Sequence, residues 1–283
     1  VDAPPAEPLP LGFDAPDPPR IAAPVGGDPI RLRVAAWPHY ADPRFARAFQ
    51  RRYLEATGIE VRIEQTVTVG SNDEFLPLLK KEEVDLVTPS CDMALTIIRS
   101  GLVQEFELGN EDEMLPAFRR PPFLQHSGQG FGACYASGPM WLVSLDPKRA
   151  ARSWSELWNP AFKDRIAIWD DGVWAVTLAA LDLGLSPVFN LPDAELPKVQ
   201  EHLEALLRNG CKTWRSPKDA LQLVREQNVI LIDDWGLIAW ELQREGSWVH
   251  QIVPEGGSAL WIDSWMIARH LEGDALNAAR AWV

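Results

Sequence analysis

Hydrophobic positions along the chain alternate between two periods, and the alternation predicts the elements. From Ile30 the apolar run Leu32–Ala36 reads as a buried strand, Asp42-Pro43 opens a helical period lasting to about Ala56, and Ile59–Thr66 reads as a second strand. Asp42 can accept from orphan helix amides, Pro43 suits the first helical position and Gly58 the exit. Ser71-Asn72-Asp73-Glu74 supplies a capping box for a helix to about Glu82, followed by a short buried strand, Val84–Thr88, and a helix over Cys91–Ser100. The stretch 109–130 is polar and interrupted by proline, which predicts a surface excursion with at most one short helix.

Strands at 131–136 and 139–145 come next, and there the chain is expected to pass from one lobe to the other. A second capping box, Ser153-Trp154-Ser155-Glu156, precedes a strand over Arg165–Trp169, and a helix starts after Asp171-Gly172. Helical periods near 193–208, 217–226 and 235–245 then alternate with strands at 229–232 and 249–252. Such alternation predicts α/β lobes whose functional residues gather at strand ends. Residues 1–29 show neither period and are dominated by Pro, Ala, Gly and Asp, the composition of an extended leader that acts as a tether or is a processing remnant.

Size and charge narrow this picture. With 283 residues, 46% of them hydrophobic, the chain can bury two cores. It contains no uninterrupted apolar run of bilayer length. The formal charge of −13 argues against a nucleic-acid partner, which needs clustered Lys and Arg, and suits either a cationic ligand or plain solubility. Cys91, Cys134 and Cys211 have no C-x-x-C spacing and no His at zinc-ligand intervals, leaving buried thiols, or one disulfide and a free thiol.

Candidate chemistry lies where strands end and helices begin: Trp37-Pro38-His39-Tyr40, Ser90-Cys91-Asp92, Trp169-Asp170-Asp171, Asp233-Asp234-Trp235 and Trp261-Ile262-Asp263. Aromatic and acidic residues recur there together, and Trp261 and Asp263, two apart on a strand, face the same side. Indole faces attract a cation by about 0.5–2 kcal/mol and carboxylates neutralise it, so the set suits an alkylammonium ligand. Each residue also has a plainer reading: Asp171 and Asp234 suit helix N-caps, Trp37 and Trp261 a core, Asp92 a solvated helix start and His39 surface polarity.

The ordered set of motifs over about residues 30–283 resembles the periplasmic spermidine/putrescine-binding proteins, solute-binding subunits of ABC importers. The resemblance is carried by Val253-Pro254-Glu255-Gly256-Gly257-Ser258-Ala259-Leu260-Trp261-Ile262-Asp263-Ser264, by Ala36-Trp37-Pro38-His39-Tyr40, by Asp85-Leu86-Val87-Thr88-Pro89-Ser90 and by Ser153-Trp154-Ser155-Glu156-Leu157-Trp158-Asn159-Pro160. It implies a two-lobed type II periplasmic-binding-protein fold with a ligand cleft between lobes, comprising lobe 1 (30–145), lobe 2 (146–255) and a return segment (256–283) that stops where relatives continue. It implies ligand contacts at Trp37, Tyr40, Ser90, Asp171, Trp261 and Asp263.

This sequence departs from the family pattern at three places: Asp92 stands where an aromatic is frequent, Trp174 where an acid is usual and Asp234-Trp235 where a Trp-Asn pair is usual. All four join the candidate site. The expected function is capture of a small cationic solute, polyamine-like or a quaternary amine, by hinge closure and delivery to an ABC permease, without catalysis or cofactor. The expected state is a monomer in the periplasm or tethered to the outer face of the cytoplasmic membrane. Other readings are a ligand-sensing ectodomain of the same fold and a carboxylate-dependent hydrolase using Asp170-Asp171 and Asp233-Asp234. The hydrolase is disfavoured because adjacent carboxylates point apart and no G-x-S-x-G nucleophile motif occurs.

Overall fold

The computed structural model describes residues 28–283 except 107 and 110, so nearly all of the expected leader lies outside the described residues. Strand β1 (Ile30–Ala36) leads to helix α1 (Pro43–Thr57) and strand β2 (Val61–Thr68). Asp42 caps α1 by accepting from the Arg44 amide at 2.7 Å, and Gly58 ends it in the left-handed conformation with φ 73°. Helix α2 (Phe75–Lys80) grows out of a single 3-10 turn begun by Ser71, where Glu74 accepts from the Gly70 and Ser71 amides at 2.9 and 3.0 Å. Strand β3 (Leu86–Val87) and helix α3 (Cys91–Arg99) follow.

The excursion contains α4 (Pro116–Arg119) and a small hairpin of β4 (Gln125–His126) and β5 (Gln129–Gly130). Then come β6 (Ala133–Pro139), β7 (Trp141–Ser144), β8 (Ile166–Trp169), α5 (Gly172–Asp182), α6 (Leu196–Arg208), β9 (Lys212–Trp214), α7 (Pro217–Gln227), β10 (Leu231–Asp234), α8 (Leu237–Arg244), β11 (His250–Ile252), β12 (Leu260–Ile267) and α9 (Gly273–Trp282). The second capping box does not form: Ser153 turns its hydroxyl to Ser155, Glu156 accepts from the Asn159 amide group, and Trp154–Trp158 winds as a 3-10 turn that Pro160 cannot extend.

Two five-stranded sheets define two lobes. The first has the order β2-β1-β3-β12-β6, with β1 parallel to β2 and β3 and with β12 antiparallel to its neighbours. The second has the order β11-β7-β10-β8-β9, parallel through β10, β8 and β9 and antiparallel at β7. Because β7 belongs to the second sheet, the chain changes lobe at Met140, about five residues before the expected boundary at 145. It returns before β12, and the two passages lie side by side: the Met140 amide donates to the Ala259 carbonyl at 3.0 Å, and the Ser258 hydroxyl to the Met140 carbonyl at 2.6 Å. Those bonds tie the two crossings together.

The return segment is fastened to the first sheet by a buried charge. Asp85 accepts from the Arg33 amide, Nε and Nη2 at 2.7, 3.0 and 2.6 Å and pairs with His270 Nε2 at 2.8 Å. Burial pushes the Asp85 carboxyl upward, but the Arg33 and His270 hydrogen bonds outweigh it and hold the group below its ordinary value. All three cysteines are free thiols of intermediate burial, which closes the disulfide alternative.

Candidate ligand site between the lobes

A cavity of about 560 Å³ opens between the sheets at the carboxyl ends of the parallel strands. The first lobe contributes Trp37 to Tyr40 from the end of β1, Ser90 from the turn before α3, Tyr135 and Ala136 from β6, and Trp261 and Asp263 from β12; the second contributes Trp169 from β8 and Trp235 to Leu237 from the turn after β10, with Met140 at the crossing between them. Six of the ten predicted site residues therefore share one cavity: Trp37, Tyr40, Ser90, Trp235, Trp261 and Asp263.

Asp263 is the anchor of this cavity. It is buried, bridges to Ser90 across the strand gap, and accepts from the Ser90 hydroxyl and the Tyr40 phenol, both at 2.5 Å. Burial pushes its carboxyl up to about 7; the two hydrogen bonds oppose that rise and the charge of Asp92 adds to it. The Tyr40 phenol is pushed upward by burial and by the Asp263 charge, so it stays protonated as a donor. Tyr40 also packs edge-on against Tyr135 at 5.0 Å. Tyr135 is the extra residue of a β-bulge, since Asp263 pairs with Ala136 but Ser264 with Cys134, and such bulges re-aim a side chain.

The walls are indole. Trp37 of the first lobe meets Trp169 and Trp235 of the second at centroid distances of 6.1 and 5.5 Å, and those two meet each other at 4.9 Å, all edge to face. Trp169 is fixed across the lobes by donating its Nε1–H to the Gly70 carbonyl at 3.1 Å. The Nε1 atoms of Trp37 and Trp261 are sealed from solvent without a partner, so these two rings present carbon, not N–H, to the cavity. Gly138 makes room for Trp261: a Cβ there would lie 2.7 Å from the indole Cζ2. Gly236, at φ 113°, makes the turn that brings Trp235 and Leu237 to the wall, a conformation other residues resist.

Four predicted contacts lie outside this cavity, each for a visible reason. Asp171 caps α5, accepting from the Trp174 amide at 2.8 Å, and its other oxygen accepts from the Ser71 hydroxyl of the opposite lobe at 3.1 Å. Asp234 is fully buried and takes the Ile238 and Ala239 amides at 3.1 and 2.9 Å, neutralising the start of α8. Trp174 is a core residue whose indole donates to Asp233. Asp233 in turn accepts from the Trp214 indole at 2.8 Å and from the Trp169 amide at 2.9 and 3.0 Å, and burial pushes it up to about 7 against those bonds. Asp92 is exposed on α3 and accepts from Asn72 at 2.9 Å; loss of hydration among its neighbours and the charge of Asp171 raise it.

Conversely, Tyr135, Met140, Gly236 and Leu237 line the cavity without having been singled out, and His39 and Trp169, which belong to the candidate turns, line it without having been counted among the expected contacts. Trp169 had a usable signal, a Trp closing a strand beside two acids. His39 is exposed at the rim with φ 70°, and the bulge that aims Tyr135 leaves no mark in the sequence. Among the described residues no group of three His, Cys, Asp or Glu is arranged to hold a metal ion.

A two-sheet molecule with paired crossings and a cavity at the strand ends has the architecture of solute-binding proteins, and comparison agrees. Residues 46–283 match the model of the bacterial extracellular solute-binding proteins. The chain belongs to that family. Over 265 residues it is 25% identical to the spermidine/putrescine-binding periplasmic protein of Salmonella typhimurium, covering 89% of this chain and 73% of the relative. The protein of the same name from Escherichia coli strain K12 is 25% identical over 249 residues, 84% of this chain and 68% of the relative. Among solved structures, a Treponema pallidum lipoprotein superposes with a TM-score of 0.72 at 17% identity, covering 89% and 78% of the two chains. A spermidine/putrescine ABC transporter substrate-binding protein of Streptococcus pneumoniae gives 0.68 at 20%, covering 88% and 76%. The structural likenesses establish the two-lobed fold.

Proposed function

We propose that this solute-binding protein captures a small organic cation in the interlobe cavity and delivers it to an ABC permease outside the cytoplasmic membrane. The observation that carries the reading is Asp263, a buried carboxylate oriented by Ser90 and Tyr40 in a cavity otherwise walled by aromatic carbon. A desolvated carboxylate without a counter-charge is unfavourable, and an ammonium group supplies that charge while indole faces cover its alkyl part. The names of the relatives, which bind spermidine and putrescine, support a cationic amine. Trp37, Tyr40, Ser90, Trp235, Trp261 and Asp263 are the proposed contacts.

Capture works by closure. The cavity has walls from both lobes, so a ligand touching Asp263 and Trp235 together stabilises the closed arrangement over an open one. The closed lobes are the form a permease would recognise, with no chemistry on the solute. Titration calorimetry with alkyl- and arylalkylamines, sugars and carboxylates tests the reading. Amines are expected to bind, and Asp263→Ala to abolish their binding; binding of sugars or anions in place of amines would overturn it.

A further inference from the structure

Resting on the reading of the cavity as an amine site, the geometry points to a narrower ligand class: an organic cation with one ammonium group on a broad apolar body, such as an arylalkylamine, in preference to linear di- and polyamines. The first observation is a count of charges. Among the described residues lining the cavity, Asp263 is the one carboxylate. The other acids near strand ends are engaged elsewhere: Asp170 by Arg215, Asp171 by the Trp174 amide and Ser71, Asp233 by two indoles and an amide, and Asp234 by the α8 amides. One ammonium is neutralised at Asp263. A second, several methylenes away, would lie against indole, which attracts a cation weakly without neutralising it, or against Met140 or Leu237, which only desolvate it.

The second observation is the shape and rigidity of the walls. Trp37, Trp169 and Trp235 brace one another edge to face, and Trp169 is pinned through Gly70, so the slot cannot easily collapse onto a slender chain. A volume of about 560 Å³ suits a ligand with a ring or a bulky head better than a bare tetramethylene. The sealed Nε1 atoms of Trp37 and Trp261 mean that these two walls reward apolar area and not acceptor groups. Asp92, outside the cavity and already bonded to Asn72, is the remaining acid that a longer molecule could seek by extending past the wall.

The test is titration calorimetry on the whole 283-residue chain at pH 8 with 2-phenylethylamine, its neutral analogue 2-phenylethanol, putrescine and spermidine. The monoamine is expected to bind at least about ten-fold more tightly than either polyamine, and the alcohol at least about ten-fold more weakly than the monoamine, since each mismatch leaves one charge unpaired. Asp92→Asn is expected to leave the monoamine affinity within about two-fold, as for a surface change away from the site. Putrescine or spermidine binding as tightly as the monoamine would overturn this inference while leaving the amine-site reading intact, and a loss of that binding in Asp92→Asn would identify the second charge. If no amine titrates into protein that circular dichroism shows to be folded, or if the alcohol binds as well as the amine, both readings fall.

Discussion

The substitution Asp263→Asn should stabilise the ligand-free protein while removing its function, and the pH dependence separates the two effects. In the folded chain burial raises Asp263 from its ordinary 3.8 to about 7, a little over three units. At about 1.36 kcal/mol per unit the difference is about 4 kcal/mol. Because the folded-state value is the higher one, the native protein holds more protons than the unfolded chain between pH 4 and 7. Stability is therefore fully present at and below about pH 4 and declines as pH rises through 7. Asparagine does not titrate, so the stability of the variant relative to wild type should climb by about 4 kcal/mol between pH 4 and 8. The Ser90 and Tyr40 bonds set the offset of that curve but not its rise. Asp233, raised to a similar value, is present in both proteins and cancels. Urea unfolding followed by tryptophan fluorescence, repeated across this pH range without ligand, measures the difference. A flat difference would refute the reasoning, because it would mean that Asp263 ionises as it does in water. Adding an amine at about 100 times its Kd should restore about 2.7 kcal/mol to wild type at pH 8 and nothing to the variant.

Amine affinity should fall as pH drops below about 7, approaching ten-fold per unit as Asp263 takes up its proton, with calorimetry at pH 5.5 to 8 as the check. Gly138→Ala places a methyl 2.7 Å from the Trp261 ring and should cost about 1–3 kcal/mol in urea unfolding along with about ten-fold in amine affinity; an unchanged affinity would show that Trp261 does not touch the ligand. Trp174→Phe removes an indole donor from buried Asp233 and should destabilise the chain by about 1–3 kcal/mol with little change in affinity, separating this core residue from the site. Asp85→Asn should cost about 3 kcal/mol at neutral pH; the lowered value of Asp85 means that this cost is present above about pH 4 and fades as pH falls below it, which urea unfolding at pH 3 and 7 would resolve.

The fold was legible because its signals are local. Asp42, Pro43 and Gly58 bound α1 through amides within a few residues, and Ser71 and Glu74 cap one another as their spacing requires. Strand β9 was missed because three residues are too short to display a period, and the lobe boundary was misplaced because strand propensity runs unbroken across Met140. Most of the aromatic lining of the candidate cavity was legible for a related reason: Trp37 and Trp235 follow parallel strands, whose ends the topology gathers at one crevice.

The acidic half of the candidate site was legible only at Asp263, because a carboxylate beside a helix start, as at Asp171 and Asp234, can serve either a ligand or the helix, and only the fold decides. Asp171 and Asp234 face orphan amides a few residues ahead, which they satisfy without moving. Asp263 lies mid-strand beside a bulge and away from any helix start, its carboxylate accepts from the Ser90 and Tyr40 hydroxyls, and two hydroxyls leave a buried carboxylate under-neutralised. That distinction explains why acids similar in sequence setting differ in role. Asp233 supplies the control within the same molecule, buried to the same near-neutral value yet supplied with three N–H groups, two of them indole. With its donors already provided, Asp233 needs no further partner and organises the second lobe. Asp263 accepts from two hydroxyls and no N–H, and it opens onto a cavity whose tryptophans come from both lobes, so in the proposed function an ammonium would complete it. The charge expected to make the empty protein less stable at neutral pH is thus the one on which the proposed ligand-dependent closure rests.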